Sequence, residues 1–258
     1  MIKAIFFDID GTLVSFRTHT VPQSTRNALQ ALQRKGIKLF INTGRPKLLI
    51  NNLGDLQFDG YVTMNGAYCF TADEQPIYKG TIPPDDIERL IAYQRQRPIP
   101  FVFVYDNHWF ITNINEDVRS LEHLIDIPTP PLASAEEARD KEIFQIMGYF
   151  PESLNEEIFG KVLTHCTPMR WSPLFADIIR QGISKSQGLD QICNYYGFTR
   201  EETMAFGDGG NDIPMLRHAG IGVALGNAAP HVQAQADYVT TSVDDDGIFQ
   251  ALQHYGLL

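Results

Sequence analysis

Short apolar runs alternate with amphipathic stretches at the start of the chain. Apolar runs of this length are typical of strands buried on both faces of a sheet. The predicted strands are residues 2–7, 37–41 and 60–63. Between them the apolar positions recur with helical spacing, which predicts helices at residues 22–35 and 46–53. The order strand, helix, strand, helix, strand indicates a parallel sheet with right-handed crossovers.

The pattern changes near Pro83, where aromatic strands joined by turn residues predict hairpins. The predicted strands of this region are residues 101–105, 109–112, 143–149, 166–171 and 175–180. The predicted helices are residues 85–95, 115–124 and 152–161, and residues 128–138 are a predicted surface loop. Hairpins with helices indicate an α+β module with an antiparallel sheet.

The alternating pattern resumes after Gly182. The predicted strands are residues 203–206, 220–224 and 238–240, and the predicted helices are residues 185–196, 212–218, 228–235 and 248–255. A capping-box sequence at residues 199–202 predicts a single tight turn. We therefore expect an α/β protein: a Rossmann-like parallel-sheet core, residues 1–82 and 183–258, interrupted by an inserted α+β domain, residues 83–182.

The composition limits the partners of this chain. Its 258 residues are 43% hydrophobic, enough for a packed core, and its formal net charge is −10. Such a surface repels nucleic-acid backbones and anionic lipids, so a small anionic substrate would need a local cation.

The cysteines and the apolar runs predict a cytoplasmic protein. Three scattered cysteines, Cys69, Cys166 and Cys193, are typical of reduced, buried thiols. No apolar stretch approaches the roughly 18 residues of a membrane span. Asp8 and Asp10 interrupt the first apolar run, which is therefore not expected to be a signal peptide.

Asp8 and Asp10 directly follow the first predicted strand, in the sequence Asp-Ile-Asp-Gly-Thr-Leu. Residues two apart at a strand end point the same way, so both carboxylates can face one site while Ile9 stays in the core. Ligands of open parallel sheets bind beyond the carboxyl ends of the strands, where this pair lies. An acidic turn without chemistry is the alternative, because an Asp-x-Asp pair alone is a weak signal.

The sequence Gly-Asp-Gly-Gly-Asn-Asp at residues 207–212 places Asp208 and Asp212 after another predicted strand. Four aspartates with Asn211 are hard oxygen ligands that suit Mg²⁺, which binds few carboxylates together with water and substrate phosphate. A glycine-rich turn before a helix explains this segment about equally well when it is taken alone.

Two helix starts could meet an anion. Thr43, Gly44 and Arg45 lie between a predicted strand and a predicted helix, where a hydroxyl and backbone N–H groups can bind phosphate. A threonine N-cap fits the same spacing. Lys185 begins another helix, where the helix dipole disfavours a cation, and this mismatch indicates an anionic partner. Taken alone, a solvent-exposed lysine is the more common interpretation.

Together and in this order, the motifs resemble those of the haloacid dehalogenase-like phosphohydrolase superfamily. The resemblance rests on residues 8–12, Thr43, Lys185 and residues 207–212, and it covers nearly the whole chain. The inserted block resembles the C2-type cap of the Cof-type, sugar-phosphatase-like branch, as does the sequence Met-Asn-Gly-Ala at residues 64–67. The motif set is specific for catalytic chemistry and hardly specific for substrate.

The resemblance implies a role for each aspartate. Asp8 would attack phosphorus and form an aspartyl phosphate. Asp10 would act as general acid for the leaving alcohol and then as base for water. Mg²⁺ would be held by Asp8, Asp208 and the backbone carbonyl of Asp10, with Asp212 nearby or bound through water.

The resemblance also assigns the phosphate-binding groups. Thr43 would hydrogen-bond the transferring phosphoryl group, and Lys185 would neutralise its oxygens and hold Asp8. Asn211 would orient Lys185 or the phosphate. Gly44 and Arg45, on the same loop as Thr43, would complete the phosphate or substrate contacts.

Asp10 also separates subclasses of the superfamily. A carbon–halogen hydrolase would lack this aspartate, and a P-type ATPase would carry Asp-Lys-Thr-Gly-Thr and membrane helices. Phosphonate hydrolysis would need a Schiff-base lysine from the cap, for which Lys79 and Lys141 are candidates.

The cap would exclude water and contact the leaving group. For any single candidate, a place in the cap core or on the cap surface is the more common interpretation. The candidates are Tyr105, His108, Trp109, Arg170 and Trp171. Arg45 and Asn65, on core loops, are stronger candidates for substrate contact.

The sequence therefore predicts a Mg²⁺-dependent phosphatase of small phosphorylated metabolites, with sugar phosphates first. It predicts no nucleic-acid or membrane partner and a monomer or weak dimer. A phosphomutase on the same scaffold and a non-catalytic, phosphate-binding regulator are the alternatives. The complete set of acidic residues disfavours the regulator, since a binding module does not need Asp10.

Overall fold

A computed structural model describes residues 1–125, 128–173 and 175–258, with the backbone alone for residues 121–125, 171 and 172. The thirteen strands of these residues are β1 (Ala4–Phe7), β2 (Lys38–Asn42), β3 (Gly60–Thr63), β4 (Tyr68–Thr71), β5 (Pro76–Lys79), β6 (Phe101–Tyr105), β7 (His108–Ile111), β8 (Ile143–Gly148), β9 (Cys166–Ser172), β10 (Phe175–Arg180), β11 (Thr203–Gly207), β12 (Ile221–Ala224) and β13 (Tyr238–Val239). The eight helices of the same residues are α1 (Gln23–Arg34), α2 (Pro84–Gln96), α3 (Glu116–Ile125), α4 (Asn155–Glu157), α5 (Lys185–Tyr196), α6 (Ile213–His218), α7 (Pro230–Gln233) and α8 (Gly247–His254). The chain forms two compact units: the first is Met1–Lys79 with Ile183–Leu258, and the second is Gly80–Gly182.

An eight-stranded sheet organises the first unit, in the order β13-β12-β11-β1-β2-β3-β4-β5. The strands from β13 to β3 run parallel, which confirms the predicted α/β core. β1 lies between β11 and β2, with Phe7 opposite Phe206 on one side and Ile41 on the other. The residues that follow β1, β2 and β11 therefore emerge at the same edge of the sheet.

Helices cover both faces of this sheet because side chains alternate along each strand. Ile5 and Phe7 of β1 pack in an apolar cluster that includes residues of α1 and α8. Ala4 and Phe6 pack in a second cluster on the other face, with residues of α5 and α6. All four residues of β1 are buried, as the continuous apolar run predicts. The first unit is thus a three-layer, Rossmann-like core.

The first unit departs from the prediction beyond β3. The chain turns at residues 64–67 and adds β4 and β5, which run antiparallel at the edge of the sheet and were not predicted. The aromatic run of β4 carries a strand signal, but its partner β5 is half-exposed and starts at Pro76. A short edge strand with such a sequence gives little periodicity to detect.

The helix predicted at residues 46–53 is wrong: this segment contains only a single 3₁₀ turn, Lys47–Leu49. Arg45 Nη1 donates to the Leu49 carbonyl at 2.8 Å, so a side chain takes an acceptor that a continuing helix would use. Two further predicted helices are shorter or irregular. Residues 228–235 yield only the four-residue α7, and residues 152–161 form 3₁₀, α and π-type turns in succession.

The second unit is built on a five-stranded antiparallel sheet in the order β7-β6-β8-β10-β9. The hairpin of β6 and β7 and the antiparallel pair of β9 and β10 confirm the predicted α+β module. Phe101, Phe103, Ile146 and Ile178 lie in its apolar core with residues of α2. This core is separate from the two apolar clusters that lie on either face of β1 in the first unit. The inserted domain therefore buries apolar surface of its own.

Candidate active site

Three carboxylates converge at the carboxyl edge of the first unit's sheet. Asp8 directly follows β1, while Asp208 and Asp212 belong to the turn after the adjacent strand β11. One oxygen from each of the three carboxylates lies within 4.8 Å of the other two. Asp212 Oδ2 accepts from the backbone N–H groups of Asp208 and Gly209 at 2.9 and 2.8 Å, which fixes the turn. The structure thus brings together residues 200 positions apart, as expected for adjacent parallel strands.

Lys185 joins two of these carboxylates. Its Nζ donates to Asp8 Oδ1 at 2.5 Å and to Asp212 Oδ1 at 2.6 Å. Lys185 is only 1% exposed, although a lysine at a helix start is usually solvated. Asn42 Nδ2, at the end of β2, donates to the Lys185 backbone carbonyl at 2.8 Å. The first turn of α5 is therefore tied to the sheet edge, and the ammonium group is held beside Asp8.

The cluster contains three carboxyl groups and one ammonium group. Burial raises the pKa of Asp8 well above its usual range, and the charge of Lys185 only partly offsets this rise. Burial also raises the pKa of Asp208 to about 7. Burial lowers the pKa of Lys185, but the charges and hydrogen bonds of Asp212 and Asp8 outweigh burial and keep the pKa above its ordinary value. Lys185 is therefore protonated, whereas burial without a further cation favours the neutral forms of Asp8 and Asp208.

This donor set fits a divalent cation. When all three carboxylates are ionised, as metal ligation requires, their charge exceeds that of the Lys185 ammonium by two units, which a divalent cation would balance. The Asp208 carboxylate accepts from Thr12 Oγ1 at 2.7 Å and from Asn227 Nδ2 at 3.1 Å, and neither donor carries a charge. Hard oxygen ligands with this charge match what Mg²⁺ binds in proteins.

Asp10 lies on the same loop as Asp8, after β1, but its side chain has a different partner. Arg45 donates two hydrogen bonds to the Asp10 carboxylate, from Nε to Oδ2 at 2.8 Å and from Nη2 to Oδ1 at 2.5 Å. The Asp10 side chain is partly exposed, unlike that of Asp8. The sequence predicts that Arg45 binds phosphate or substrate, whereas the structure places its guanidinium on Asp10 and on the Leu49 carbonyl. The Arg45 assignment stays a prediction.

The loop after β2 supplies uncharged donors. Thr43 Oγ1 accepts from the Arg45 backbone N–H at 3.1 Å, which leaves the hydroxyl proton free to donate elsewhere. Next to it, a Cβ on Gly44 would lie 3.1 Å from Asn65 Nδ2 and 3.5 Å from Asn211 Nδ2. Thr43, Gly44 and Asn211 are therefore neighbours in the structure, together with Asn65.

Two neighbours of Asp208 were not singled out by sequence reasoning. Thr12 is fully buried, and Asn227 also donates to the Gly11 carbonyl at 2.9 Å. Asn227 follows β12 by three residues, so it is a polar residue near the carboxyl end of a further parallel strand. The strand-end rule that selects Asp8 and Asp208 would also have selected Asn227.

The candidate contact residues of the second unit have varied surroundings. The Tyr105 ring stacks on His108, with the centroids 5.6 Å apart, and Lys141 Nζ lies 4.9 Å from the Tyr105 centroid. Arg170 donates to the backbone carbonyls of Phe150 and Phe175. Its guanidinium therefore serves the second unit's own packing. The side chain of Trp171 lies outside the described residues.

Known proteins are similar to this chain in sequence and fold. A family model described as haloacid dehalogenase-like hydrolase matches residues 5–252. The chain belongs to the haloacid dehalogenase-like hydrolases. A relative from Bacillus subtilis strain 168, YkrA, is 34% identical over 258 residues, covering 99% of this chain and 98% of the relative.

Two further relatives narrow the branch of the family. A solved structure of the HAD subclass IIB sugar phosphatase BT4131 is 46% identical, with a TM-score of 0.88, and the match covers 99% of this chain and 100% of that one. The 5-amino-6-(5-phospho-D-ribitylamino)uracil phosphatase YitU of Bacillus subtilis strain 168 is 28% identical, covering 97% of this chain and 96% of the relative. The haloacid dehalogenase-like hydrolase described here is accordingly a member of the Cof-type branch with a C2-type cap, and a phosphoric monoester hydrolase.

Among the residues of this hydrolase that the structure describes, no helix combines the length and apolar character needed to cross a bilayer.

Proposed function

We propose that this hydrolase cleaves phosphate monoesters of small metabolites, sugar phosphates first, through an aspartyl phosphate on Asp8 and with Mg²⁺ as its cofactor. The observation that carries the proposal is the convergence of Asp8, Asp208 and Asp212 at one edge of the sheet, where buried Lys185 donates to Asp8 and Asp212. Such a cluster places a nucleophilic carboxylate beside an ammonium group, and a divalent cation bound to the carboxylates would add the positive charge that a phosphate needs.

In the first step, an oxygen of the Asp8 carboxylate attacks phosphorus, and the bond from phosphorus to the ester oxygen breaks. Asp10 gives its proton to the departing oxygen, so the alcohol leaves neutral. Lys185 has three N–H bonds, of which two contact Asp8 and Asp212, and the third is available to a phosphoryl oxygen. The Thr43 hydroxyl donates to the same group.

In the second step, Asp10 accepts a proton from water, and the water oxygen attacks the phosphorus of the aspartyl phosphate. The bond between phosphorus and the Asp8 oxygen breaks, which releases inorganic phosphate and restores the carboxylate. Asp10 thus gives one proton and regains one in each cycle. Asn211 and Gly44 keep the phosphoryl group in place between the steps.

Mg²⁺ would be held by the side chains of Asp8 and Asp208 and by the backbone carbonyl of Asp10. Asp212 would lie nearby or bind the ion through water. When bound, this ion would neutralise the charge repulsion between Asp8 and the phosphate dianion. At about 4 Å, two unit charges of like sign repel by about 4 kcal/mol at an effective dielectric constant of 20. The excess of carboxyl groups over ammonium groups in the cluster supports this assignment, as does the raised pKa of Asp208, which a bound cation would lower.

Two observations support sugar phosphates as the first substrate class to test. The structurally similar protein at 46% identity is named a sugar phosphatase, whereas the relative at 28% identity acts on a phosphorylated ribityl compound. Both names describe small, polar, phosphorylated molecules. The net charge of −10 disfavours large polyanions as substrates.

The experiment is a screen for phosphate release from sugar phosphates, nucleotides, cofactor phosphates and an aryl phosphate, with Mg²⁺ or with EDTA. We expect hydrolysis in Mg²⁺ that EDTA abolishes, and no hydrolysis by D8N. The control variant D55N makes the same change on an exposed aspartate and should match the wild type. A hexose bisphosphate added to the assay would reveal isomerised product if the protein were a phosphomutase. Activity retained in D8N would contradict the proposed nucleophile.

A further inference from the structure

The turn that joins β3 to β4 has a strained backbone. Met64, Asn65 and Gly66 all have positive φ angles, of 50°, 56° and 106°. Glycine adopts this region freely and asparagine tolerates it, but for methionine it is unfavourable by about 1–3 kcal/mol. Three such residues in succession persist only where the surrounding structure enforces them.

Two neighbouring segments hold this turn in place. The Asn65 N–H donates to the Thr43 carbonyl at 2.9 Å, and the Met64 N–H donates to the Arg45 carbonyl at 3.1 Å. On the other side, a Cβ on Gly66 would lie 2.3 Å from the carbonyl oxygen of Ser184. The turn is therefore fixed between the Thr43 loop and the residue that precedes Lys185.

The strained turn presents the Asn65 side chain to Asn211. Asn65 Oδ1 accepts from Asn211 Nδ2 at 2.9 Å. Asn65 is 3% exposed, whereas Asn211 is on the surface. Within the part of the chain that the structure describes, this is the one hydrogen bond formed by the Asn211 side chain. Without Asn65, this hydrogen bond would no longer restrict the side-chain torsions of Asn211, and the torsion that turns its amide is a broad one.

We propose that Asn65 is a positioning residue for the phosphate end of the site and acts through Asn211. The inference rests on the proposed function, in which Asn211 binds the phosphoryl group. The Asn211 amide has two N–H bonds; Asn65 accepts one, and the other remains on a nitrogen that lies 3.5 Å from where a Cβ on Gly44 would be. A donor fixed before the ester binds loses less conformational entropy on binding.

Two requirements explain why the residue at position 65 is an asparagine. The side chain must accept a hydrogen bond, and the backbone must take a positive φ angle, which asparagine tolerates better than most residues. N65G removes the acceptor while keeping a residue that adopts this φ without strain. The variant is therefore expected to fold, with no loss in Tm, so that a change in ligand binding reports the side chain alone.

The test compares wild type, N65G, N211A and the double variant by calorimetric binding of inorganic phosphate in Mg²⁺ and by steady-state kinetics on the best ester. We expect N65G to raise the Kd of phosphate and the KM of the ester about tenfold, equivalent to one hydrogen bond of about 1.4 kcal/mol. The double variant should be no weaker than N211A, because Asn65 acts through Asn211. The control E74G places glycine at another residue with positive φ, the exposed Glu74 at 65°, and should change neither constant.

Each result has a distinct meaning. Equal phosphate binding by N65G and wild type would overturn the inference, as would losses that multiply in the double variant. A wild type that binds phosphate but hydrolyses no ester would contradict the proposed function alone, and the binding comparison would still decide the role of Asn65. A wild type that does not bind phosphate would contradict both.

Discussion

The guanidinium of Arg45 holds both carboxylate oxygens of Asp10, at 2.8 and 2.5 Å. This bidentate pair joins the loop after β2 to the loop after β1. Arg45 is itself held by the Leu49 carbonyl. The residue assigned here as general acid is therefore positioned by an arginine whose own place depends on the turn Lys47–Leu49.

This pair predicts coupling between Arg45 and Asp10 in catalysis. R45A should lower kcat/KM about tenfold or more, because a bidentate, charge-assisted contact that orients Asp10 is lost. In the D10N background the same change should have little further effect. Steady-state kinetics of the two single variants and the double variant measure this coupling. R26A, which breaks a pair with exposed Asp55, is the matched control and should leave kcat/KM unchanged.

If Arg45 instead bound the phosphate directly, as the sequence alone predicts, its loss would act independently of Asp10. The effects of R45A and D10N on kcat/KM would then multiply in the double variant.

The raised pKa of Asp208 predicts that Mg²⁺ stabilises the protein more at higher pH. Its pKa rises on folding from the ordinary aspartate range to about 7, so the folded state binds the proton more tightly. The stability this group contributes without metal is complete at low pH and is lost as pH rises from about 4 to about 7. Mg²⁺ competes with that proton, so the increase in Tm on adding Mg²⁺ should be larger at about pH 8 than at about pH 5.5.

Thermal unfolding of wild type and D208N, with Mg²⁺ and with EDTA, tests this expectation. D208N should lose most of the increase in Tm, and without metal it should be at least as stable as wild type at the higher pH. Equal increases in Tm at both pH values in the wild type would contradict the expected competition between Mg²⁺ and the Asp208 proton.

Removal of the Lys185 charge should destabilise the first unit. K185M leaves Asp8 and Asp212 buried without the ammonium that contacts both, and loss of one partner of a buried ion pair costs about 3–5 kcal/mol. Urea unfolding at neutral pH measures the loss. The control K35M changes an exposed lysine, whose Nζ meets a backbone carbonyl, and should have a small effect. A K185M protein as stable as wild type would contradict the charge state described for the site.

Removal of the Asp86 carboxylate should destabilise the protein through the second unit. Its fully buried carboxylate accepts from Arg89, from the His165 backbone N–H at 2.9 Å and from the Cys166 thiol at 3.5 Å. D86A should destabilise the protein by about 2–4 kcal/mol, because three donors lose the one acceptor that they share and the carboxylate leaves a buried gap. Asp85, its exposed neighbour in the same helix turn, provides the control D85A. Similar unfolding curves for the two variants would contradict this role.

The strand-end rule explains why much of the site could be predicted. Asp8 and Asp208 each follow an apolar run that forms a central parallel strand, and parallel neighbours place such residues together. The burial of Lys185 could not be read from its own segment. Its partners Asp8 and Asp212 are 177 and 27 residues away, and only the folded chain shows that they share one ammonium group.

Local patterns failed where side chains compete with the backbone. The apolar residues at 48–50 favour a helix, but Arg45 takes the Leu49 carbonyl and stops the turn there. The pairing of Arg45 with Asp10 and that of Asn65 with Asn211 link separate loops, so neither has a periodic signature. The fold class therefore followed from the sequence pattern, while the contacts that orient the site residues required the structure.

Capture of the phosphoryl group on Asp8 tests the proposed mechanism most directly. Wild type and D10N are mixed with the best ester and Mg²⁺, quenched in acid within a turnover and digested for mass spectrometry. We predict phosphate on the peptide that contains Asp8 in wild type and D10N, and none in D8N. D10N should accumulate more of it than wild type when the loss of Asp10 slows water attack more than it slows departure of the alcohol. A phosphorylated peptide from elsewhere in the chain, or turnover by D8N at the wild-type rate, would contradict Asp8 as the nucleophile.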